Sequence, residues 1–417
     1  MQLTIIKTFV SRFLILILSF GLVIYSTNMW GSEGKGTISI VVANAAAVSF
    51  FSSIFSGSSA SYFASRFKIE KVLLYAYLWS ILIGLFVPFL FSLASIQSEY
   101  LFYLIGISVF SSLLSTNISL FIGKQDIRQF NVYTVLQQLV HIIFIGTLVY
   151  VFGKKDVSVY FLAQIGCLAL LSLTSFLQII KKCKISEISF SKDVAKNMFE
   201  YGWKTQLSAF VQFLNYRLSF YFLEYFEGIA SVGIFSIGVT FSEAIWTITR
   251  SIAVVLYSDV VNSKSREESV VKTKESLKLT FILMIGFVLG IIIIPSQVYE
   301  MIFGKEFRNT KEIMLLLSPG IFAIAVSDMV GHYFSGMREL KILNVKSIVG
   351  LIVTVVFSFI AIPRWGILGA CIATTSSYLV SAFLLFRKFY GATTFSLKDY
   401  LVSKEEIQLL KEKFLKK

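Results

Sequence analysis

Charge is scarce in this sequence: only 15% of its 417 residues are Asp, Glu, Lys or Arg, against 56% hydrophobic and 16% aromatic. A soluble chain carries about 25% charged residues, so these charges cannot cover a water-facing surface, and a membrane protein is expected. Proline occurs four times, histidine twice and cysteine three times. Cys167 and Cys371 fall in apolar runs and Cys183 in a basic segment, with no Cys-x-x-Cys spacing. That pattern argues against a disulfide framework, a zinc cage or any other metal site. There is no Walker A loop, Gly-x-Ser-x-Gly elbow, His-Glu-x-x-His or Asp-x-Asp motif. The chain is accordingly not expected to be an enzyme or to hold a cofactor.

Long apolar runs are abundant. A bilayer core of about 30 Å needs on the order of 20 apolar residues per helix. Twelve such windows follow one another, at 9–29, 36–64, 72–94, 100–123, 133–152, 157–180, 205–226, 230–257, 277–296, 313–335, 344–362 and 366–388. The first resembles a signal peptide in length, but Ser26 to Trp30 offers no small-x-small cleavage site, and a retained helix is expected. The fold class is therefore an all-α integral membrane protein. Its expected domains are an N-terminal six-helix bundle over 1–180, a cytoplasmic linker over 181–204, a C-terminal six-helix bundle over 205–390 and a basic tail over 391–417.

Lysine and arginine outnumber aspartate and glutamate by 38 to 24, a formal net charge of +14. With both termini in the cytoplasm, 29 of the 38 basic residues fall on the cytoplasmic side, seven outside and two within spans. This is the positive-inside bias of a multi-pass inner-membrane protein, so no nucleic-acid partner is needed to explain the excess.

The two halves echo each other. Phe121-Ile-Gly-Lys-Gln-Asp-Ile-Arg-Gln-Phe-Asn-Val132 and Phe334-Ser-Gly-Met-Arg-Glu-Leu-Lys-Ile-Leu-Asn-Val345 share four of twelve positions at an offset of 213. Gly31, Gly36 and Ser39 recur as Gly228, Gly233 and Ser236 at an offset of 197. Each pair is separated by six helices, which predicts a parallel repeat.

Ionisable groups inside a span cost at least about 2.5–3.5 kcal/mol, so they mark wet cavities or internal pairs. Arg217 lies on the seventh span, Glu243, Thr247 and Arg250 share one face of the eighth, and Asp328 and His332 are one turn apart on the tenth. Arg217 and Arg250 are candidates for binding an anionic headgroup, because guanidinium stays charged and grips phosphate oxygens bidentately. Glu243 is either a cavity residue or their counter-ion, and Arg12 either joins the substrate site or snorkels to the interface. Asp328 and His332 are ion-coupling candidates or an interhelical pair, and His141, in the inner half of the fifth span, reads as an interior polar residue.

Four strings carry a resemblance: Gly31-Ser-Glu-Gly-Lys-Gly36; Arg217 followed by Gly233-Ile-Phe-Ser-Ile237 and Glu243; Phe303-Gly-Lys-Glu-Phe307; and Pro363-Arg-Trp-Gly-Ile-Leu-Gly-Ala370. In this order, against twelve spans, the sequence resembles the polysaccharide-exporter branch of the multidrug/oligosaccharidyl-lipid/polysaccharide superfamily, the O-antigen and capsule repeat-unit flippases. The resemblance implies a MATE-like, V-shaped pair of bundles in the bacterial cytoplasmic membrane. It implies alternating-access transfer of an undecaprenyl-diphosphate-linked oligosaccharide to the outer leaflet for surface polysaccharide synthesis. A proton or sodium gradient and other polysaccharide assembly proteins are the accompanying expectations. Ser219 departs from the pattern, since relatives often carry an acid there. Two alternatives remain open: a cation-coupled multidrug exporter of the same fold and a membrane polysaccharide polymerase. Against the latter, the longest external stretch is only about 297–312.

Overall fold

The computed structural model describes residues 2–93, 98–184, 191–395 and 400; for 2–9, 92–93, 98, 208, 242, 247 and 248 it describes the backbone alone. The expected tail beyond 400 and the side chain of Thr247 thus lie outside the described residues. Among those residues there is no strand. The helices are α1 (Gln2–Ser52), α2 (Ser58–Arg66), α3 (Ile69–Leu93), α4 (Leu101–Gly123), α5 (Ile127–Gly146), α6 (Ser158–Ile180), α7 (Lys192–Glu227), α8 (Ile229–Asn262), α9 (Arg266–Ile293), α10 (Ser296–Phe303), α11 (Thr310–Gly336) and α12 (Leu340–Gly391).

Nine helical stretches among the described residues are long and apolar enough to span a bilayer. Two of them each hold two expected spans, because the chain bends at Gly31 (φ 63°, ψ −162°) in α1 and at Gly366 (φ 54°, ψ −126°) in α12. Those angles suit glycine, which lacks a Cβ to clash with the following carbonyl. The seventh expected span is α7, long enough at 36 residues, but made less apolar by Lys204, Gln206, Gln212, Asn215 and Arg217.

Two expected boundaries are revised. The span read as 36–64 ends at Ser52, and its remainder forms the separate α2. Serine chemistry accounts for the break: the Ser49 hydroxyl donates to the carbonyl of Ala46 at 2.6 Å and Ser56 to that of Ser52 at 2.9 Å, competing with the helical ladder. Residues 192–204, read as linker, are helical and continue directly into the seventh span as α7.

The chain forms two compact units, residues 1–213 and 214–417. In the first, Ile107, Leu114, Leu120 and Phe161 are buried, and the rings of Phe121 and Tyr133 stack at 5.7 Å. The start of α7 belongs to this unit: Ser59 donates to the carbonyl of Met198 at 3.0 Å, and Tyr62 stacks on Tyr201 at 4.6 Å. In the second, Phe303, Phe307, Tyr333, Phe334 and Phe389 are buried. In lipid, close packing rather than water exclusion holds such bundles together. Outward-facing Phe86, Phe89 and Leu90 on α3, and Leu289, Ile292 and Ile293 on α9, are exposed, as lipid-facing side chains should be.

The repeated strings form the same turn. After α4, the amides of Gln125 and Asp126 donate to the carbonyls of Ile122 (2.9 Å) and Phe121 (2.8 Å); after α11, those of Arg338 and Glu339 donate to Ser335 (3.1 Å) and Phe334 (2.8 Å). This is a Schellman turn twice over, closed in each case by a residue with positive φ. Gly228, the counterpart of Gly31, likewise has positive φ (85°) with ψ near the extended value (173°).

Candidate functional site

In the C-terminal unit, α7 and α8 bring Arg217 and Glu243 together: Nη2 lies 2.5 Å from Oε1, with the side chains 23% and 38% exposed. Glu243 is thus the direct counter-ion of Arg217. The guanidinium of Arg217 also lies over the Phe220 ring, 5.2 Å from its centroid. Arg250, two turns further along α8, is exposed and has a different partner, the face of Trp246, whose centroid is 5.6 Å away. Among the described residues no carboxylate pairs with Arg250. The local balance is one neutral pair and one uncompensated guanidinium.

Aromatic rings back this cluster. Trp246 packs against Tyr216 at 4.9 Å and Tyr378 at 5.7 Å, joining α7, α8 and α12. A cavity of about 10 Å³ remains between Glu243, Trp246 and Tyr378, room for no more than about one water. The buried Trp246 indole nitrogen has no protein hydrogen-bond partner. Any ligand of Arg250 is therefore received on its exposed side, against a rigid aromatic floor. Below the rings, Asn215 Oδ1 accepts from Thr354 (2.7 Å) and Ser377 (2.8 Å), which fixes α7 against α12. Ser219 bonds the Thr374 hydroxyl at 3.2 Å, so the position that departs from the flippase pattern serves helix packing.

Asp328 and His332 do not pair through their side chains. The His332 Nδ1–H donates to the main-chain carbonyl of Asp328 at 2.8 Å, while the Asp328 carboxylate faces Lys346 of α12 at 3.9 Å. Lys346, counted from sequence among cytoplasmic loop residues, is buried in the bundle. Its lysine stem carries the charge from the end of α12 down to α11.

Three further placements come from the N-terminal unit. Arg12 is exposed, with its guanidinium over the ring of Phe130 at 5.2 Å. His141 lies past the midpoint of its span rather than in the inner half, because α5 begins at Ile127, capped by the Asp126 side chain. Its Nε2–H donates to the carbonyl of Tyr160 at 3.1 Å. Lys35, expected in an external loop, is instead buried within α1 just beyond the Gly31 bend.

Sequence inspection therefore found the ionic members and missed Trp246, Tyr216, Tyr378 and Lys346. Trp246 precedes Arg250 by four residues on one helix, a spacing that places ring and guanidinium on the same face. The two tyrosines come from other helices and leave no comparable signal.

Comparison with known proteins agrees with this architecture. A family model described as polysaccharide biosynthesis protein matches residues 260–406. Over 123 residues, 30% of this chain, the sequence is 22% identical to the Haloferax volcanii protein named "Probable low-salt glycan biosynthesis flippase Agl15"; the match spans about a quarter (26%) of that protein. The structure is similar to that of the lipid II flippase MurJ in an inward closed conformation, with a TM-score of 0.78 and 16% identity, covering 100% of this chain and 92% of the other. It is also similar to an inward-facing multidrug resistance MATE family transporter, with a TM-score of 0.74 and 15% identity, covering 91% and 94%. With that fold along its length and the polysaccharide-biosynthesis match in its C-terminal part, the chain belongs to the multidrug/oligosaccharidyl-lipid/polysaccharide superfamily.

Proposed function

We propose that this protein is a flippase that carries an undecaprenyl-diphosphate-linked oligosaccharide from the cytoplasmic to the outer leaflet by alternating access, as a step in surface polysaccharide synthesis. The observation that carries this reading is Arg250, an exposed guanidinium on Trp246 whose charge no described carboxylate cancels. A diphosphate cannot cross hydrocarbon unaided, and such a cation supplies charge-assisted hydrogen bonds to its oxygens. Arg217, held in position by Glu243, offers its remaining N–H groups to the same headgroup. Arg12 is assigned to attracting the anionic lipid at the N-terminal unit. Asp328, poised against Lys346, is the group assigned to ion coupling, and His332 supports it through the backbone. The membrane lipid is then solvent for the tail, and orientation with cytoplasmic termini follows from the charge bias.

The test is reconstitution in proteoliposomes with a fluorescent lipid-diphosphate oligosaccharide. Arg250→Ala is expected to slow flipping by about tenfold or more, the cost of one charge-assisted hydrogen bond, with Arg250→Lys recovering part of it. Wild-type rates in both Arg250→Ala and Arg217→Ala would overturn the assignment. Efflux of cationic drugs without lipid transfer would replace it with the multidrug-exporter reading.

A further inference from the structure

A second polar cavity, of about 240 Å³, lies wholly within the N-terminal unit, between both arms of α1 and helices α5 and α6. That is far above the roughly 10–15 Å³ that one water requires, and suits a single sugar ring. Its polar lining is Ser19, Ser26 and Lys35 from α1, Gln137, Gln138 and His141 from α5, and Tyr160 and Gln164 from α6. No carboxylate is among the lining residues. Three amides in one pocket are costly to bury within an apolar bundle unless they meet complementary groups.

The chemistry narrows what fits. The buried Lys35 makes the pocket positive and disfavours cations. A halide would satisfy donors only, yet the buried Gln164 Oε1 is an acceptor with no protein partner, and the amide oxygens of Gln137 and Gln138 add more acceptors. The ligand must therefore donate hydrogen bonds as well as carry negative charge. Glutamine side chains satisfy neighbouring hydroxyls with one C=O and one N–H, and the Tyr160 ring offers a flat face to sugar C–H groups. Tyr160 is itself fixed, edge-on to Trp30 at 6.3 Å and to His141 at 4.8 Å. The His141 Nε2–H is committed to the carbonyl of Tyr160, so its ring braces α5 against α6 at the pocket wall.

We propose that this pocket binds one acidic monosaccharide unit, a hexuronate or a sugar of similar charge, with Lys35 meeting the carboxylate and Gln164 accepting from a ring hydroxyl. The inference rests on the reading of the substrate as a glycan, and assigns part of that glycan's specificity to the N-terminal unit.

The experiment uses the full-length protein purified in detergent, with thermal shift and calorimetric titration of free glucuronate, glucose and chloride. Glucuronate is expected to bind about tenfold more tightly than glucose, the ratio supplied by one charge-assisted hydrogen bond, and chloride to give no shift. Lys35→Gln is expected to erase the preference while retaining glucose binding, and Gln164→Leu to weaken both sugars. Absence of binding by either sugar, equal affinity for the two, or an equal shift with chloride overturns the proposal. Should Lys35→Gln fail to fold, the ranking of the three ligands on the wild-type protein still decides. Lipid flipping that persists without glucuronate binding removes this inference and leaves the flippase reading. Glucuronate binding without flipping does the reverse.

Discussion

Gln125 and Arg338, 213 residues apart, adopt the same left-handed backbone conformation, with φ of 59° and 60°, and are the two non-glycine residues with positive φ among those described. Each closes the Schellman turn at the end of a bundle helix. Each is followed by an acid that meets a lysine from the last helix of its own unit, Asp126 with Lys182 at 3.4 Å and Glu339 with Lys388 at 2.7 Å. An internal repeat that survives in sequence as four identities is thus preserved as turn geometry and as an ion pair.

Because a side chain in this conformation costs roughly 1 kcal/mol, Gln125→Gly and Arg338→Gly are each expected to stabilise the protein by about that amount. Valine at either position should destabilise it, since β-branching worsens the clash. Thermal unfolding in detergent reads both signs, and a lower melting temperature for the glycine variants would show that the side chains contribute more than the strain they impose.

The Arg217–Glu243 pair should separate stability from transport. Arg217→Ala or Glu243→Gln alone is expected to cost on the order of 1 kcal/mol, discounted for partial exposure, and the double variant less than the sum. Arg250→Ala should leave stability near wild type, because its guanidinium is exposed and its contact is with one ring face. A double-mutant cycle on unfolding, run beside flipping rates, checks both statements. An Arg250→Ala variant that unfolds as readily as it loses transport would mean that Arg250 acts structurally.

Gly202 lets α7 touch the end of α1. A Cβ there would lie 1.8 Å from the carbonyl oxygen of Ile54, a backbone atom that cannot swing aside. Gly202→Ala is therefore expected to destabilise by about 1–3 kcal/mol, the range for overpacking, and to lower the yield of folded protein. Gly21→Ala is the control, since nothing lies within 4 Å of its added carbon. Equal melting temperatures for the two variants would refute the contact.

Cys183, just past α6, tests topology and electrostatics together. Burial and then the nearby Glu70 raise its thiol above the ordinary range, with Lys124 opposing. Alkylation is expected to be slow at neutral pH and to keep rising as pH passes the normal thiol range, because the thiolate is the reactive form. Glu70→Gln should accelerate it. Cys167 and Cys371 are buried and should stay silent. With cytoplasmic termini, an impermeant maleimide should label Cys183 in inside-out vesicles and not in intact cells. Labelling from the outside would invert the proposed orientation.

What the sequence determined by itself is the class of the molecule: its poverty of charge requires a bilayer, and the spacing of apolar runs sets the number of spans. Both are one-dimensional properties, legible because a helix in lipid must satisfy its own backbone. The repeat was legible for a similar reason, since a Schellman turn is written in contiguous residues. Individual charges were another matter. Lys35 and Lys346 read as loop residues because helix ends are set by local capping and bending, at Gly31 and at Glu339, and not by apolarity. That Glu243 cancels Arg217, that Asp328 faces Lys346, and that Arg250 alone keeps its charge open on Trp246 are decisions of the tertiary structure. Coulombic pairing depends on distances of a few ångströms between different helices, and sequence order along one helix does not contain them.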